Sequence, residues 1–216
     1  MKININTIIF LISLIVIVTG CKEKQADSPL LTQEENKYED AHKHFPSEDG
    51  NIWIYLNTEL NHNGDTTVSY TTKAVYDTAD KKMIFYKDGT FLNYANWYNK
   101  NHTLYCCSNT ILVRYDLLEC DSDSILIDST SNSNAGLTTK TYQLCDRKYA
   151  ADINNYSDIP CIKTTQVNSY DDGSKLIIHR YFGYNIGLVK SVQLTYSLGS
   201  LHSTQILELK SHQFDE

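Results

Sequence analysis

Between Phe45 and Glu216 the sequence alternates short runs rich in Ile, Val, Thr and Tyr with turn clusters, at intervals of about ten residues, which is the rhythm of an all-β chain. Thr66–Tyr76 shows the pattern most plainly. Val68, Tyr70, Thr72, Ala74 and Tyr76 take one face, and Thr67, Ser69, Thr71 and Lys73 the other. Further strands are predicted over Ile52–Glu59, Lys82–Tyr86, Thr90–Tyr98, Thr103–Cys107, Ile111–Leu118 and Ser124–Asp128. The remainder are Thr138–Cys145, Ile162–Ser169, Lys175–Phe182, Leu188–Ser197 and Thr204–Lys210. The breaks carry turn chemistry: Asn63-Gly64-Asp65, Lys87-Asp88-Gly89, Asp171-Asp172-Gly173 and Tyr184-Asn185-Ile186-Gly187. No long amphipathic helix interrupts the series, although Asp146–Asp158 has room for one helical turn. The expectation is a single antiparallel, strongly curved sheet, or an open or half barrel, of about ten to twelve strands.

Composition narrows the partners. A formal net charge of −7 and the lack of any Lys/Arg cluster argue against nucleic acid. The 16 tyrosines sit mostly on strands beside β-branched neighbours, where cross-strand packing accounts for them. Tyr70, Tyr76, Tyr115 and Trp97 are the aromatics picked to face an apolar or glycan ligand. Trp53, Tyr55, Leu188, Val192, Leu194 and Tyr196 are expected in the core.

The N-terminus is of another kind. Lys2 precedes an apolar run from Ile8 to Val18 that is too short to span a hydrocarbon core, and Val18-Thr19-Gly20-Cys21 follows. This resembles the signal peptide and lipobox of a Bacteroidetes-type bacterial lipoprotein. The resemblance implies cleavage before Cys21 and acylation, palmitate included, of its thiol and amino group. The chain then divides into a signal peptide (residues 1–20), whose apolar run would be helical, a lipidated polar tether (21–44) and an all-β domain (45–216). Stable anchoring takes more than one acyl chain, and the family's modified cysteine supplies them. The membrane becomes a partner through that anchor. Lys22, by analogy with the enteric sorting rule, points to the outer membrane.

Five further cysteines remain: Cys106, Cys107, Cys120, Cys145 and Cys161. An envelope compartment permits disulfides, and the odd number leaves one thiol over. Cys145–Cys161 is the first candidate pair; a loop of that length contributes about 3 kcal/mol in the chain-entropy picture. Cys106 and Cys107 point to opposite faces of a strand, so one can bridge Cys120, Cys107–Cys120 being the second candidate pair.

Three segments carry a second resemblance. His44-Phe45-Pro46 with Gly50-Asn51-Ile52-Trp53-Ile54-Tyr55 is similar to the opening of secreted β-sheet envelope proteins of uncharacterised function. Tyr181-Phe182-Gly183-Tyr184-Asn185-Ile186-Gly187-Leu188-Val189-Lys190 is similar to their C-terminal hairpin. Phe85-Tyr86-Lys87-Asp88-Gly89-Thr90-Phe91 resembles hairpins of lipocalin-like lipoproteins. The first two imply a half barrel like that of periplasmic lipoprotein carriers, the third a closed up-and-down barrel. None brings a catalytic residue. Gly183 and Gly187 bracket a turn in which each is free to take positive φ.

No Gly-x-Ser-x-Gly, P-loop or Gly-x-Gly-x-x-Gly occurs, so no catalytic residue or cofactor is assigned. Glu39, Asp40, His42 and His44 lie in the tether, where nothing fixes metal geometry, and no metal is expected. Asn61-His62-Asn63-Gly64-Asp65 lacks the acidic set of a calcium loop and reads as a hairpin turn. The expected function is a non-catalytic binding module holding an apolar or glycan ligand. The alternative is an interaction protein docking on an envelope complex through a sheet edge or tyrosine patch.

Overall fold

The computed structural model describes Phe45 and residues 49–100, 103–106, 109–115, 117, 124–144, 150–153 and 156–214. Its first half holds β1 (Ile52–Asn61), β2 (Thr66–Asp77), β3 (Lys82–Lys87), β4 (Thr90–Lys100), β5 (Thr103–Cys106) and β6 (Thr110–Arg114). The second half holds β7 (Ser124–Asn132), β8 (Leu137–Leu144), β9 (Ala150–Ile153), β10 (Tyr156–Tyr170), β11 (Lys175–Gly183), β12 (Gly187–Ser197) and β13 (Ser200–Gln213). The only helical piece among the described residues is a 3₁₀ turn, Ser133–Ala135, in the β7–β8 hairpin.

These strands form one 13-stranded sheet in the order β6-β5-β4-β3-β2-β1-β13-β12-β11-β10-β8-β7, with β9 paired to β10. Every ladder is antiparallel. Paired strands are neighbours in sequence, except that β8 pairs with β10 across the short β9 and β1 pairs with β13 from Ile52↔Gln213 to Asn61↔Ser203. That pair bends the meander back on itself into a nearly closed up-and-down barrel. Bulges at Ile54/Tyr55, Tyr181/Phe182 and Phe85/Tyr86 supply local twist and curvature.

The ring is open in ladder terms between β6 and β7, and side chains bridge the gap. The Gln143 carboxamide on β8 accepts from Arg114 N (2.9 Å) and donates to the carbonyls of Arg114 (2.8 Å) and Leu117 (3.1 Å). The Asp128 carboxylate on β7 accepts from Ile111 N at 3.1 Å. An edge strand presents unpaired backbone groups, and here carboxamide and carboxylate stand in for a neighbouring strand.

The interior is divided by composition. At the end where β1 begins and β13 ends, Phe45, Trp53, Tyr55, Met83, Phe182 and Leu209 are fully buried. Phe45 stacks on Trp53 (centroids 5.9 Å, 5°) and meets Tyr76 and Trp97 edge-on. Trp53 Nε1 donates to Ile186 O (2.6 Å), and Tyr55 Oη donates to Leu188 O (2.9 Å), tying β1 to the β11–β12 turn. These donors had to find acceptors, because an unpaired buried N–H or O–H is costly. The opposite end carries the polar hairpins. In one, Asn61 Oδ1 accepts from Asn63 N and Asp65 N, forming the turn the sequence predicted.

The sequence reading fails in three places. Where the sequence left room for one helical turn, Ala150–Ile153 forms β9 against the start of β10, while residues 146–149, 154 and 155 lie outside the described residues. Ala-Ala-Asp-Ile is a poor strand sequence, and pairing with β10 overrides it. Gly187 adopts φ +84 as expected, but Gly183 does not share the left-handed region. A Cβ at Gly183 would lie 3.0 Å from both Ile159 Cγ2 and Val189 Cγ1, so close packing is what requires glycine there. Val192, Leu194 and Tyr196 are only half-buried, whereas Leu188 and Val189 are both buried. Irregular pairing at the start of β12 sets the phase of the strand, so that Ser191, Gln193 and Thr195 line the interior and the aliphatic residues take the outer face.

Gln143 is fully buried, so Gln143→Ala strands backbone groups on β6 at the seam. Chemical denaturation should show a loss of about 3 kcal/mol, against about 1 kcal/mol or less for a Gln-to-Ala change on the exposed surface.

Candidate functional site

The inner faces change character halfway along their strands. On β1 the inward series runs Trp53, Tyr55, then Asn57, Glu59; on β13, read backwards, it runs Leu209, Leu207, then Gln205, Ser203. The register places the polar members side by side. Glu59, Gln205, Gln193, Ile178, Gln166 and Thr141 form one row across six strands. Tyr70, Asn57, Leu207, Ser191, Arg180 and Thr164 form the next row down.

Between β1–β4 and β12–β13 these rows border a cleft of about 270 Å³, open at the hairpin end. Asn57, Glu59, Asn93, Gln193 and Gln205 give its polar wall, with Tyr70, Phe85, Leu92 and Leu207 on the apolar side. Its hydrogen bonds run as a chain. Gln193 Nε2 donates to Gln205 Oε1 (3.2 Å), and Gln205 Nε2 donates to Glu59 Oε1 (3.4 Å). Asn57 Nδ2 donates to Thr72 Oγ1 at 2.8 Å. Lys87 Nζ lies over the Tyr70 ring at 4.3 Å, placing a cation at the mouth. On the far arc Arg180 Nη1 donates to Gln166 Oε1 and Gln166 Nε2 to Asn168 Oδ1, both at 3.0 Å. Thr141 and Thr164, fully buried, have hydroxyls with no hydrogen-bond partner among the described residues.

The aromatics picked from sequence are divided between core and cleft. Tyr70 is half-buried and lines the cleft. Tyr76 and Trp97 are buried in the apolar end, where Tyr76 Oη donates to Trp97 O at 2.8 Å. Tyr115 is also buried in the core cluster. Burial, with help from Asp77, pushes the Tyr76 phenol up to about 12, and burial raises Tyr55 and Tyr115 as well. Tyr55 and Tyr76 serve as structural hydrogen-bond donors, and all three phenols stay protonated at neutral pH. Cys161 is buried on β10 where its ladder with β11 begins, and Cys106 is buried on β5. Cys21, Cys107, Cys120 and Cys145 lie outside the described residues, as do the signal segment and most of the tether. Glu59, Gln193, Gln205, Asn57 and Phe85 were not picked from sequence. For Asn57, Glu59 and Gln205 the signal is the inward phase of the alternation followed beyond its apolar half, whereas Gln193 has no such signal on β12. Among the described residues no group of three or more His, Cys, Asp or Glu assembles as a metal site.

No family model matches the chain, and no curated protein matches it. Solved structures similar to it include a candidate lipoprotein from Parabacteroides distasonis, at 13% identity and TM-score 0.41, covering 78% of this chain and 98% of that one. A candidate exported protein with YmcC-like fold from Bacteroides fragilis has 14% identity and TM-score 0.35, covering 79% and 98%. A LolA superfamily protein from Nitrosomonas europaea has 9% identity and TM-score 0.37, covering 84% and 93%. At these values no ligand or activity transfers from them.

Two histidines give the fold a pH dependence. Burial, then the nearby Lys163, pulls His179 below the ordinary imidazole value, and its Nδ1 sits 2.9 Å from Thr165 Oγ1. Burial does the same to His212, whose ring stacks on Phe214 at 4.5 Å. The unfolded chain therefore binds these protons more readily than the folded one. The stability they contribute is complete above the unperturbed value of 6.5 and is lost as pH falls below it. Thermal midpoints should decline from about pH 6.5 to 5, and a His179→Gln/His212→Gln double variant should decline less over that window.

Proposed function

We propose that the chain is a non-catalytic ligand-binding module of the bacterial cell envelope. Cys21 carries the acyl anchor, residues 21–44 form the tether, and the cleft at the open end of the barrel takes the ligand. One observation carries the ligand-binding reading: the apolar filling stops partway, and the remaining inner wall is lined by polar side chains that converge on an accessible cleft. A purely structural barrel would gain stability by continuing the apolar filling. Sites of this kind combine apolar and aromatic walls with a few convergent polar groups. The lipobox resemblance supports the envelope address, and Lys22 supports the outer membrane.

Native mass spectrometry of the full-length protein, extracted from its own membrane in mild detergent, tests the reading. A retained adduct beyond the lipidated polypeptide is expected. It should be lost in Leu207→Trp, which fills the cleft from its apolar side. A wild-type protein that is consistently empty overturns the proposal.

A second reading rests on the edge of β4. Ladder pairing to β5 covers only Trp97–Lys100, so the Phe91–Asn96 edge is unpaired among the described residues and carries Phe91, Leu92 and Tyr94 at 57%, 44% and 55% exposure. Such an edge suits docking of an extended segment from an envelope protein. Tyr94→Lys would disrupt that docking and leave adduct retention in the cleft unchanged.

A further inference from the structure

We infer that the cleft is built for a neutral saccharide, a ligand of one or two hydroxylated rings. The inference rests on the reading of the cleft as the ligand site. It starts from the hydrogen-bonding character of the wall. Asn57, Asn93, Gln193 and Gln205 each offer a donor and an acceptor, and Glu59 offers acceptors alone. A hydroxyl group both donates and accepts, so adjacent hydroxyls can give a proton to Glu59 and take one from a neighbouring carboxamide. An acyl chain can do neither, and would strip water from these groups without replacing it.

The bonds already present are suited to exchange. Gln193–Gln205 and Gln205–Glu59, at 3.2 and 3.4 Å, lie at or beyond the long end of the normal range. Little is lost when a ligand oxygen replaces such a contact. Glu59 Oε2 has no hydrogen-bond partner among the described residues and remains an available acceptor. The apolar side opposite, Phe85, Tyr70, Leu92 and Leu207, offers a surface for the C–H faces of a ring.

Charge favours a neutral ligand. Glu59 alone would attract an amine, but Lys87 over Tyr70 at the same mouth repels one. An anionic ligand would meet the Glu59 carboxylate. The volume, about 270 Å³, lies near the lower limit of small-molecule pockets, about 300 Å³. That limits the enclosed part to one or two rings, and the exposed positions of Asn93 and Gln205 leave the mouth open to a longer chain.

Titration of full-length protein in detergent, followed by saturation-transfer NMR and calorimetry, tests this with defined probes: glucose, galactose, mannose, N-acetylglucosamine and maltose, with oleate as the apolar comparator. Saturable binding of at least one sugar is expected. Glu59→Gln and Gln205→Ala should each weaken it about tenfold, the effect of one lost hydrogen bond to a charged or convergent partner. Leu207→Trp should abolish it, and Tyr94→Lys should leave it unchanged. Glu59→Gln is isosteric, and Gln205 is exposed, so both variants should keep the wild-type circular dichroism spectrum. Failure of every sugar in the panel overturns the inference, as does sugar binding indifferent to the cleft variants. Oleate binding that Leu207→Trp removes, without sugar binding, would keep the cleft as a ligand site and reject its saccharide class. Binding of neither probe counts against both.

Discussion

The pairing of β1 with β13 is the constraint on which the rest depends. Every other neighbour in the sheet is also a neighbour in sequence or separated only by the short β9, so a meander could form locally without it. This ladder joins the two ends of the domain, and loop-closure entropy must be met before it forms. Its return is large. It sets Trp53 and Tyr55 beside Leu209 in the apolar end and, on the same strands, brings Glu59 opposite Gln205. A one-residue slip of β1 against β13 would turn Trp53, Tyr55 and Glu59 outward and Thr58 inward while Leu209 and Gln205 kept their face, disrupting core and cleft together.

Curvature alone would leave the barrel hollow. Phe45 helps to fill one end by stacking on Trp53, and Asn99 Nδ2 holds its carbonyl at 3.1 Å. The aromatic filling lets the domain hold its shape without packing the whole interior. The other half of the inner wall is then available for polar side chains at positions where a small barrel would place Leu or Val. The seam between β6 and β7 is the second economy. Gln143 and Asp128 complete a ring that the ladder leaves open, with hydrogen bonds whose geometry belongs to individual side chains.

Most of the fold was legible in the sequence. The alternation of Thr66–Tyr76 gave both the strand and its inward face, with Thr72, Ala74 and Tyr76 buried. The glycine and asparagine turns marked the hairpins, because only residues tolerant of positive φ sit comfortably there. The site was much less legible. Aromatic content drew attention to Tyr76, Trp97 and Tyr115, yet large rings at inward positions are what a core selects first. Gln193 lies on a strand whose Val192 and Leu194 point outward, against the ordinary sense of the pattern. Which face is inward on β12 is decided by the irregular pairing near Tyr181/Phe182, and no local feature of the sequence fixes where the ladder slips.

Amide hydrogen exchange of the intact protein, read peptide by peptide, tests the closure most directly. If the β1–β13 ladder holds the barrel together and β6–β7 is a side-chain seam, amides of Leu56–Asn61 and Ser203–Leu207 will be protected far longer than those of Thr110–Arg114. Equal protection at the two places, or rapid exchange along β1 and β13, would contradict the account of how core and cleft are formed.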